Sequence, residues 1–144
     1  MYTGLQHLHS GLAYLVLLAL IVIVIYALLG SLSNKEFLEK DRKIALIGFI
    51  LSHIQLTVGL ILYFVSPLGF EMLKSGSAMS DPATRLMAVE HPLINIIAIV
   101  VISIGYIKAK KGSIPRSRFR SIYMMYAIGL LLLLSRIPWS VWLG

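Results

Sequence analysis

A few ionisable side chains lie in or beside long apolar runs of this sequence, and they are of types that bind metals or pair with charged ligands. Charged and titratable groups are costly within a bilayer, so each one in an apolar run is a candidate for function. Imidazoles bind transition metals at neutral pH, and guanidinium groups pair with carboxylates. The candidates are His7, His9, His53, His91, Glu90 and Arg136. The chain has no cysteine, which excludes disulfides, thiolate metal sites and iron–sulfur clusters.

The elements that must position these residues are predicted to be membrane helices. The chain has 144 residues, of which 58% are hydrophobic and 13% charged, with a mean hydropathy of +0.88. Soluble domains are about a quarter charged, and apolar runs of membrane-spanning length recur here. We therefore predict an all-α polytopic membrane protein whose single domain, residues 1–144, is a four-helix antiparallel bundle. The helices are expected at about 6–30, 44–66, 82–109 and 122–143.

Local signals refine the ends of these helices. Ser80-Asp81-Pro82 combines a cap residue with a proline at the first helical position, which predicts that the third helix begins there. Pro92 within that helix should free a backbone carbonyl and bend the chain beside His91. A cleaved signal peptide has basic residues before its apolar segment, but no Lys or Arg precedes the first apolar segment here. We therefore expect that segment to be retained as a helix.

The charges predict a topology. Basic residues concentrate in the first and third connectors: Lys35, Lys40, Arg42, Lys43, Lys108, Lys110, Lys111, Arg116, Arg118 and Arg120. The second connector has one basic residue, Lys74, and two acidic residues, Glu71 and Asp81, and Arg85 follows near the start of the third helix. Cytoplasmic loops carry the excess of Lys and Arg, so both basic connectors are expected in the cytoplasm and both termini outside. The basic residues behind the net charge of +7 are thus interpreted as a topology signal and as contacts with lipid headgroups, and not as a surface that binds nucleic acid.

Three polar groups are expected at one height in the bundle. His9 and His91 open the first and third helices near the outer face, and these helices are diagonal neighbours in a bundle with short connections. Two histidines so placed can clamp a haem iron, as in b-type cytochromes. Arg136 lies roughly 24 Å up the fourth helix from Arg120, where it can pair with a haem propionate. Asn95, one turn after His91, can hold a ligand or a propionate.

Each of these residues also has a structural interpretation. His7 and His9 are two residues apart, so at most one faces the core, and His9 is the favoured ligand. His9 could be solvated among the headgroups, His91 could bond a neighbouring carbonyl, and Arg136 could extend to the interface. His53 is expected roughly 14 Å deep in a core about 30 Å thick. It could bind a second cofactor, serve a quinone or proton path, or bond to another helix, and a structural or supporting role is as well favoured as a cofactor role.

Short motifs along the chain resemble those of small bacterial four-helix membrane proteins labelled cytochrome b. They are MYTGLQHLHSGL at 1–12, SHIQL at 52–56, GLILYF at 59–64, VEH at 89–91 and IPW at 137–139. The resemblance covers most of the chain. It implies haem b as the cofactor and a location in the bacterial inner membrane.

A more distant likeness is to one four-helix half of haem A synthase. In that family ligand histidines open two helices, and a Gln-x-x-Leu-Gly pattern lies in the helix between them. Here His9, QLTVG at 55–59 and His91 follow in that order, which implies that the two histidines are axial ligands and gives His53 no part. The Leu and Gly are spaced differently, and Ser10 replaces the arginine after the first ligand, so haem A synthesis is not implied.

These observations lead to one expected function and two rivals. We expect a membrane cytochrome that transfers electrons with a quinone or a respiratory partner, as a subunit or homo-oligomer and not as a stand-alone enzyme. One rival is a non-haem accessory or assembly subunit whose histidines only bond between helices. The other is a membrane protein that handles haem as its substrate.

Overall fold

The computed structural model describes residues 1–143, and within them the chain is all-helical, with no strand. The helices are α1 (Tyr2–Leu32), α2 (Glu39–Val65), α3 (Phe70–Lys74), α4 (Pro82–Arg85), α5 (His91–Lys111), α6 (Pro115–Ser135) and α7 (Trp139–Trp142). A π-helical turn, Leu86–Glu90, joins α4 to α5, so the chain is helical without a break from Pro82 to Lys111. The all-α prediction is confirmed.

Four helices are long and apolar enough to cross a membrane. They are α1, α2, the continuous helix Pro82–Lys111 and α6, with 31, 27, 30 and 21 residues. Because about 20 apolar residues cross the hydrocarbon core of a bilayer, each can serve as a complete span. This confirms the prediction of four helices of membrane-spanning length, as in a multi-pass membrane protein, and these helices are called the first to fourth spans below.

The four spans pack in a ring. The first span contacts the second and the fourth, and the third span contacts the same two. The first and third spans therefore face each other diagonally, as predicted. Residues near the ends of these two spans can meet only across the interior of the bundle.

The third and fourth spans pack most closely. A methyl group at Gly105 would lie 2.6 Å from Cβ of Met125, which is closer than two carbon atoms can approach. Only glycine therefore permits this separation of the two helices. The hydroxyl of Tyr126 also donates a hydrogen bond of 2.6 Å to the carbonyl of Ala45, which ties the fourth span to the second. The well-packed core lies here, and the site lies nearer the other end of the second span.

A buried carboxylate holds the connector after α1. Asp41 is almost fully buried and accepts hydrogen bonds from the backbone N–H of Leu38, at 2.7 Å, and from the hydroxyl of Tyr26. The ammonium of Lys35 lies 3.1 Å from the same carboxylate and also donates to the Tyr26 hydroxyl at 3.2 Å. These hydrogen bonds to Tyr26 and Asp41 raise the pKa of Lys35. Capping by Asp41 starts α2 at Glu39, earlier than the predicted 44.

The third span begins where it was predicted. The carboxylate of Asp81 accepts the backbone N–H of Thr84 at 2.9 Å, and Pro82 occupies the first helical position. Hydrogen bonds from the backbone and the side chain of Thr84 lower the pKa of Asp81. A cap followed by proline thus fixes the start of this helix, as its sequence indicates.

The fourth span differs most from its prediction. A helix was expected at about 122–143, but α6 begins at Pro115 and ends at Ser135. A proline is well accommodated in a first turn, where its missing N–H would have no partner. At the other end Arg136 leaves the helix with φ −129° and ψ 22°. Pro138 disfavours helix in the residue before it, so the chain turns into the short helix α7.

Candidate functional site

A cavity of about 530 Å³ lies among the first, second and third spans and the chain that follows the fourth. Most of its wall is apolar, and the polar side chains on it include His9, Gln55, His91 and Asn95. His7, the alternative to His9 in the sequence, also borders the cavity but is exposed. Cavities of about 300–1,000 Å³ with apolar walls and a few polar groups are typical of ligand and cofactor sites. This cavity is the candidate functional site.

His9 is positioned by a close contact with the second span. Its ring lies against Gly59, where a methyl group would come 3.0 Å from Cε1. The backbone carbonyl of His9 accepts a hydrogen bond of 3.0 Å from Nε2 of Gln55. Within residues 1–143, Nδ1 of His9 is buried and has no hydrogen-bond partner. The contact between the two helices therefore fixes the position of the ring, while its Nδ1 makes no hydrogen bond.

His91 is directed by an irregular turn of the third span. The π-helical turn ends at Glu90, directly before His91 and Pro92. Pro92 has no N–H to give to the carbonyl of Ala88, and the hydroxyl of Tyr63 donates to that carbonyl at 2.8 Å. The predicted disturbance at Pro92 thus takes the form of a π turn, a feature that is frequent at functional sites.

The two nitrogens of the His91 ring have different partners. Nδ1 lies 2.7 Å from the backbone carbonyl of Arg136, and Nε2 lies 3.0 Å from Nδ2 of Asn95. A carbonyl can only accept, so Nδ1 carries the proton and donates it. Nε2 is then the nitrogen that carries the lone pair, and in this structure that lone pair accepts from the amide of Asn95. This is the usual orientation of a metal-binding histidine, whose other nitrogen is held by a carbonyl.

His9 and His91 meet across the bundle. Their ring centroids are 6.2 Å apart, and the ring planes are at 85° to each other. Two imidazoles that bind one metal ion from opposite sides have centroids about 6 Å apart, since each metal–nitrogen bond is about 2 Å and each ring adds about 1 Å. The separation equals that expected for a metal held between the two rings, and it is also the usual distance of two rings in edge-to-face contact. Within residues 1–143, His, Cys, Asp and Glu side chains form no metal-binding group of three or more.

Three buried polar atoms on the cavity wall have no hydrogen-bond partner within the part of the chain that the structure describes. They are Nδ1 of His9, Oε1 of Gln55 and Oδ1 of Asn95. Nearly all buried polar atoms in folded proteins are paired, and each exception needs a reason. Their concentration at one cavity indicates that this region is arranged around a ligand.

Arg136 reaches the site through its backbone. Its carbonyl holds His91, whereas Arg136 is not among the residues that line the cavity. Nε of that guanidinium lies 3.7 Å from Oε2 of Glu90, and Nη1 donates to the carbonyl of Ser135 at 2.8 Å. Glu90 also lies 3.3 Å from Nε of Arg85. The side chain predicted to bind a propionate is therefore an exposed member of an ion-pair network beside His91.

His53 lies apart from the cavity. Its Nδ1 is 2.7 Å from the carbonyl of Phe49 in its own helix, and its ring centroid is 4.2 Å from that of Phe49. Its Nε2 is 3.4 Å from the hydroxyl of Ser103 in the third span. These contacts connect the second and third spans. The structure does not bring His53 together with His9 and His91.

Gln55, Gly59 and Tyr63 were not predicted as site residues. The sequence did contain a signal for Gln55, because an amide in a membrane helix seeks a partner. Gly59 and Tyr63 follow Gln55 at intervals of four residues, so all three share one helix face. Only their packing against His9 and Ala88 reveals that this face borders the cavity.

Comparisons with protein-family models, with curated proteins and with solved structures found no match to this chain. Function must therefore be argued from the geometry of the site itself.

Proposed function

We propose that this protein is a membrane-bound b-type cytochrome in which His9 and His91 hold haem b between the first and third spans. Haem b with two histidine ligands exchanges single electrons and has no open iron position, which favours electron transfer over oxygen chemistry. The observation that carries the proposal is the 6.2 Å separation of the two ring centroids beside an apolar cavity.

The state of His91 supports its assignment as a ligand. Donation from Nδ1 to the carbonyl of Arg136 fixes the tautomer and directs the lone pair of Nε2 away from that carbonyl. Acceptance of the Nδ1 proton by a carbonyl is common around metals and raises the basicity of the coordinating nitrogen, here Nε2. The amide of Asn95, which lies 3.0 Å from Nε2 in this structure, would have to leave that nitrogen to iron, and it is assigned to a propionate.

Arg136 remains the proposed partner of a propionate. Its Nε contact with Glu90 is 3.7 Å, and Nη2 has no hydrogen-bond partner within residues 1–143. A rotation of this exposed side chain would present two parallel donors to a carboxylate, the geometry in which arginine binds best. The guanidinium of Arg136 would then bind the propionate, and its backbone carbonyl would hold the ligand His91.

The orientation in the membrane is part of the proposal. We assign an antiparallel bundle with both termini outside, in a bacterial inner membrane, because the basic residues concentrate in the connectors after the first and third spans. In that orientation the site lies near the outer face. Its partners would be a quinone dissolved in the bilayer or another respiratory membrane protein.

The direct test is a reduced-minus-oxidised absorption spectrum, with haem extraction, on protein made with ample haem and purified in mild detergent. The expected result is a low-spin b-type spectrum at about one haem per chain. Absence of haem would overturn the proposal and favour an accessory subunit with structural histidines. Haem that washes off readily would favour a haem-handling protein. Reduction of the bound haem by a short-chain quinol would support the quinone as partner.

A further inference from the structure

His53 and Ser103 face each other between the second and third spans, outside the cavity described above. Nδ1 of His53 lies 2.7 Å from the backbone carbonyl of Phe49. A carbonyl only accepts, so in the neutral imidazole Nδ1 carries the single ring proton and Nε2 carries a lone pair. That lone pair faces the hydroxyl oxygen of Ser103 at a distance of 3.4 Å. Whether this contact is a hydrogen bond depends on where the hydroxyl hydrogen of Ser103 lies.

The hydroxyl hydrogen of Ser103 is used within its own helix. A serine hydroxyl has one hydrogen, and Ser103 donates to the carbonyl of Ile99 at 2.7 Å, which is the normal length of an O–H···O bond. The 3.4 Å contact with Nε2 of His53 is longer than a normal hydrogen bond. The two facing atoms, Nε2 of His53 and Oγ of Ser103, therefore both present lone pairs, and neither gives the other a proton.

The ring of His53 is held in place by contacts that do not use Nε2. Its centroid lies 4.2 Å from that of Phe49, and the ring of Phe49 also packs on Tyr106 of the third span, with centroids 4.9 Å apart. The hydrogen bond from Nδ1 to the carbonyl of Phe49 fixes the tautomer. Packing and tautomer therefore fix the direction of Nε2 and leave its lone pair for another donor.

The surroundings of this pair are those of a helix surface in contact with lipid. His53 and Ser103 are each only partly buried, and both lie well inside their spans. The residues beside them on the two helices are apolar and exposed: Ile50, Ile54, Val100 and Ile104. Hydrocarbon offers no water to satisfy a polar atom. A donor for Nε2 must therefore come from a molecule that dissolves in the bilayer.

We propose that His53 and Ser103 form a binding site for a lipid-soluble quinol, one hydroxyl of which donates to Nε2 of His53. Two facing acceptors select a ligand that donates. A quinol carries hydroxyl groups, whereas the carbonyls of the corresponding quinone only accept, so the site takes the reduced form in preference to the oxidised form. Among lipid-soluble hydroxyl compounds a quinol is chosen because the proposed electron-transfer function needs a redox partner in the bilayer, and to this extent the inference rests on that function.

The test is calorimetric titration of the full chain in mild detergent, without oxygen and with any bound haem already reduced, so that only binding is measured. The probes are a short-chain quinol, its quinone and its dimethyl ether. The quinol should bind about tenfold more tightly than the other two, as expected for one hydrogen bond. His53→Leu should abolish this preference. His53→Gln introduces an amide that both donates and accepts, so it should bind the quinone as well as the quinol. The control Thr57→Val removes a hydroxyl that bonds the backbone carbonyl of His53, and it should keep the preference.

The outcomes separate this site from the proposed cytochrome. Low-spin haem in a wild type that binds the three probes equally would overturn the quinol site and leave the cytochrome intact. A preference for the quinol in a protein without haem would support the site and overturn only the cytochrome. A quinol preference that survives in His53→Leu would overturn the assignment to His53. Binding of a fatty alcohol of similar length as tightly as the quinol would overturn the choice of a quinol as the ligand.

Discussion

The imidazole of His9 lies directly against Gly59 of the second span, where a methyl group would be 3.0 Å from Cε1. Side chains rarely approach so closely, so the position of the ring depends on the missing side chain of this glycine. The same contact turns Nδ1 toward the second span. Helix packing and the orientation of this proposed ligand are therefore set at one point.

Gly59→Ala should displace the His9 ring and weaken haem binding. The added methyl group would force the ring to move by a few tenths of an ångström or the two helices to separate. We expect haem retention to fall about tenfold, as when groups that orient a ligand are lost. Gly11→Ala is the matched control, because a methyl group there meets nothing within 4 Å. Equal haem retention by the two variants would contradict the proposed contact.

His9→Ala and His91→Ala should each abolish the low-spin spectrum. Removing one axial ligand opens a coordination position on the iron, which changes its spin state even where haem is retained. His53→Ala should leave the spectrum in place, since His53 contacts Phe49 and Ser103 away from the cavity. The measurement is the absorption spectrum of each purified variant. Loss of haem in His53→Ala alone would show that the iron lies elsewhere.

Tyr63→Phe should destabilise the π turn that precedes His91. The Tyr63 hydroxyl donates to the carbonyl of Ala88, a buried residue, and without it that carbonyl loses its side-chain donor. Loss of one neutral hydrogen bond to a buried carbonyl costs about 0.5–1.5 kcal/mol. Denaturant unfolding in detergent measures this loss. Tyr123→Phe is the control, because its hydroxyl makes no hydrogen bond within residues 1–143, and it should unfold like the wild type.

Lys35 should stabilise the protein in a pH-dependent way. Its hydrogen bonds to Tyr26 and Asp41 raise its pKa above the usual 10.5. A raised pKa means that the folded state binds the proton more tightly, so the stabilisation is complete below 10.5 and is lost as the pH rises through the folded value. Lys35→Met should therefore lower stability at neutral pH and less so in strong alkali.

The measurement for Lys35 is denaturant unfolding at neutral pH and above pH 10.5. Lys40→Met is the control, since the ammonium of Lys40 is exposed and forms no salt bridge with a described residue. A deficit in Lys35→Met that is the same at both pH values would indicate lost packing on the neighbouring rings and not a lost charge.

The proposed topology predicts opposite labelling of two single-cysteine variants. The natural chain has no cysteine, so Ser77→Cys and Ser113→Cys each introduce one unique thiol on an exposed residue. A membrane-impermeant maleimide should label residue 77 in intact spheroplasts and residue 113 only after permeabilisation. The reverse pattern would invert the bundle and move the haem site to the cytoplasmic face.

Local sequence was enough to predict the elements of this protein. Apolar length predicted four membrane spans, because burial of a helix in lipid depends only on its own composition. Asp81 and Pro82 predicted where the third span begins, since a cap acts within one turn. The diagonal relation of the first and third spans followed from their order and their short connections. The same order suggested that His9 and His91 could meet.

The tertiary structure alone decided how these residues are supported. Successive residues point about 100° apart around a helix, so a small rotation of the second span decides whether Gln55 and Gly59 face His9 or lipid. The end of α6 at Ser135 depends on Pro138, and it brings the carbonyl of Arg136, not its guanidinium, to His91. The sequence by itself therefore determined the spans and the candidate ligands. Packing between helices determined which nitrogen of His91 is held and which buried atoms are left for a ligand, because those features depend on distances between residues far apart in the chain.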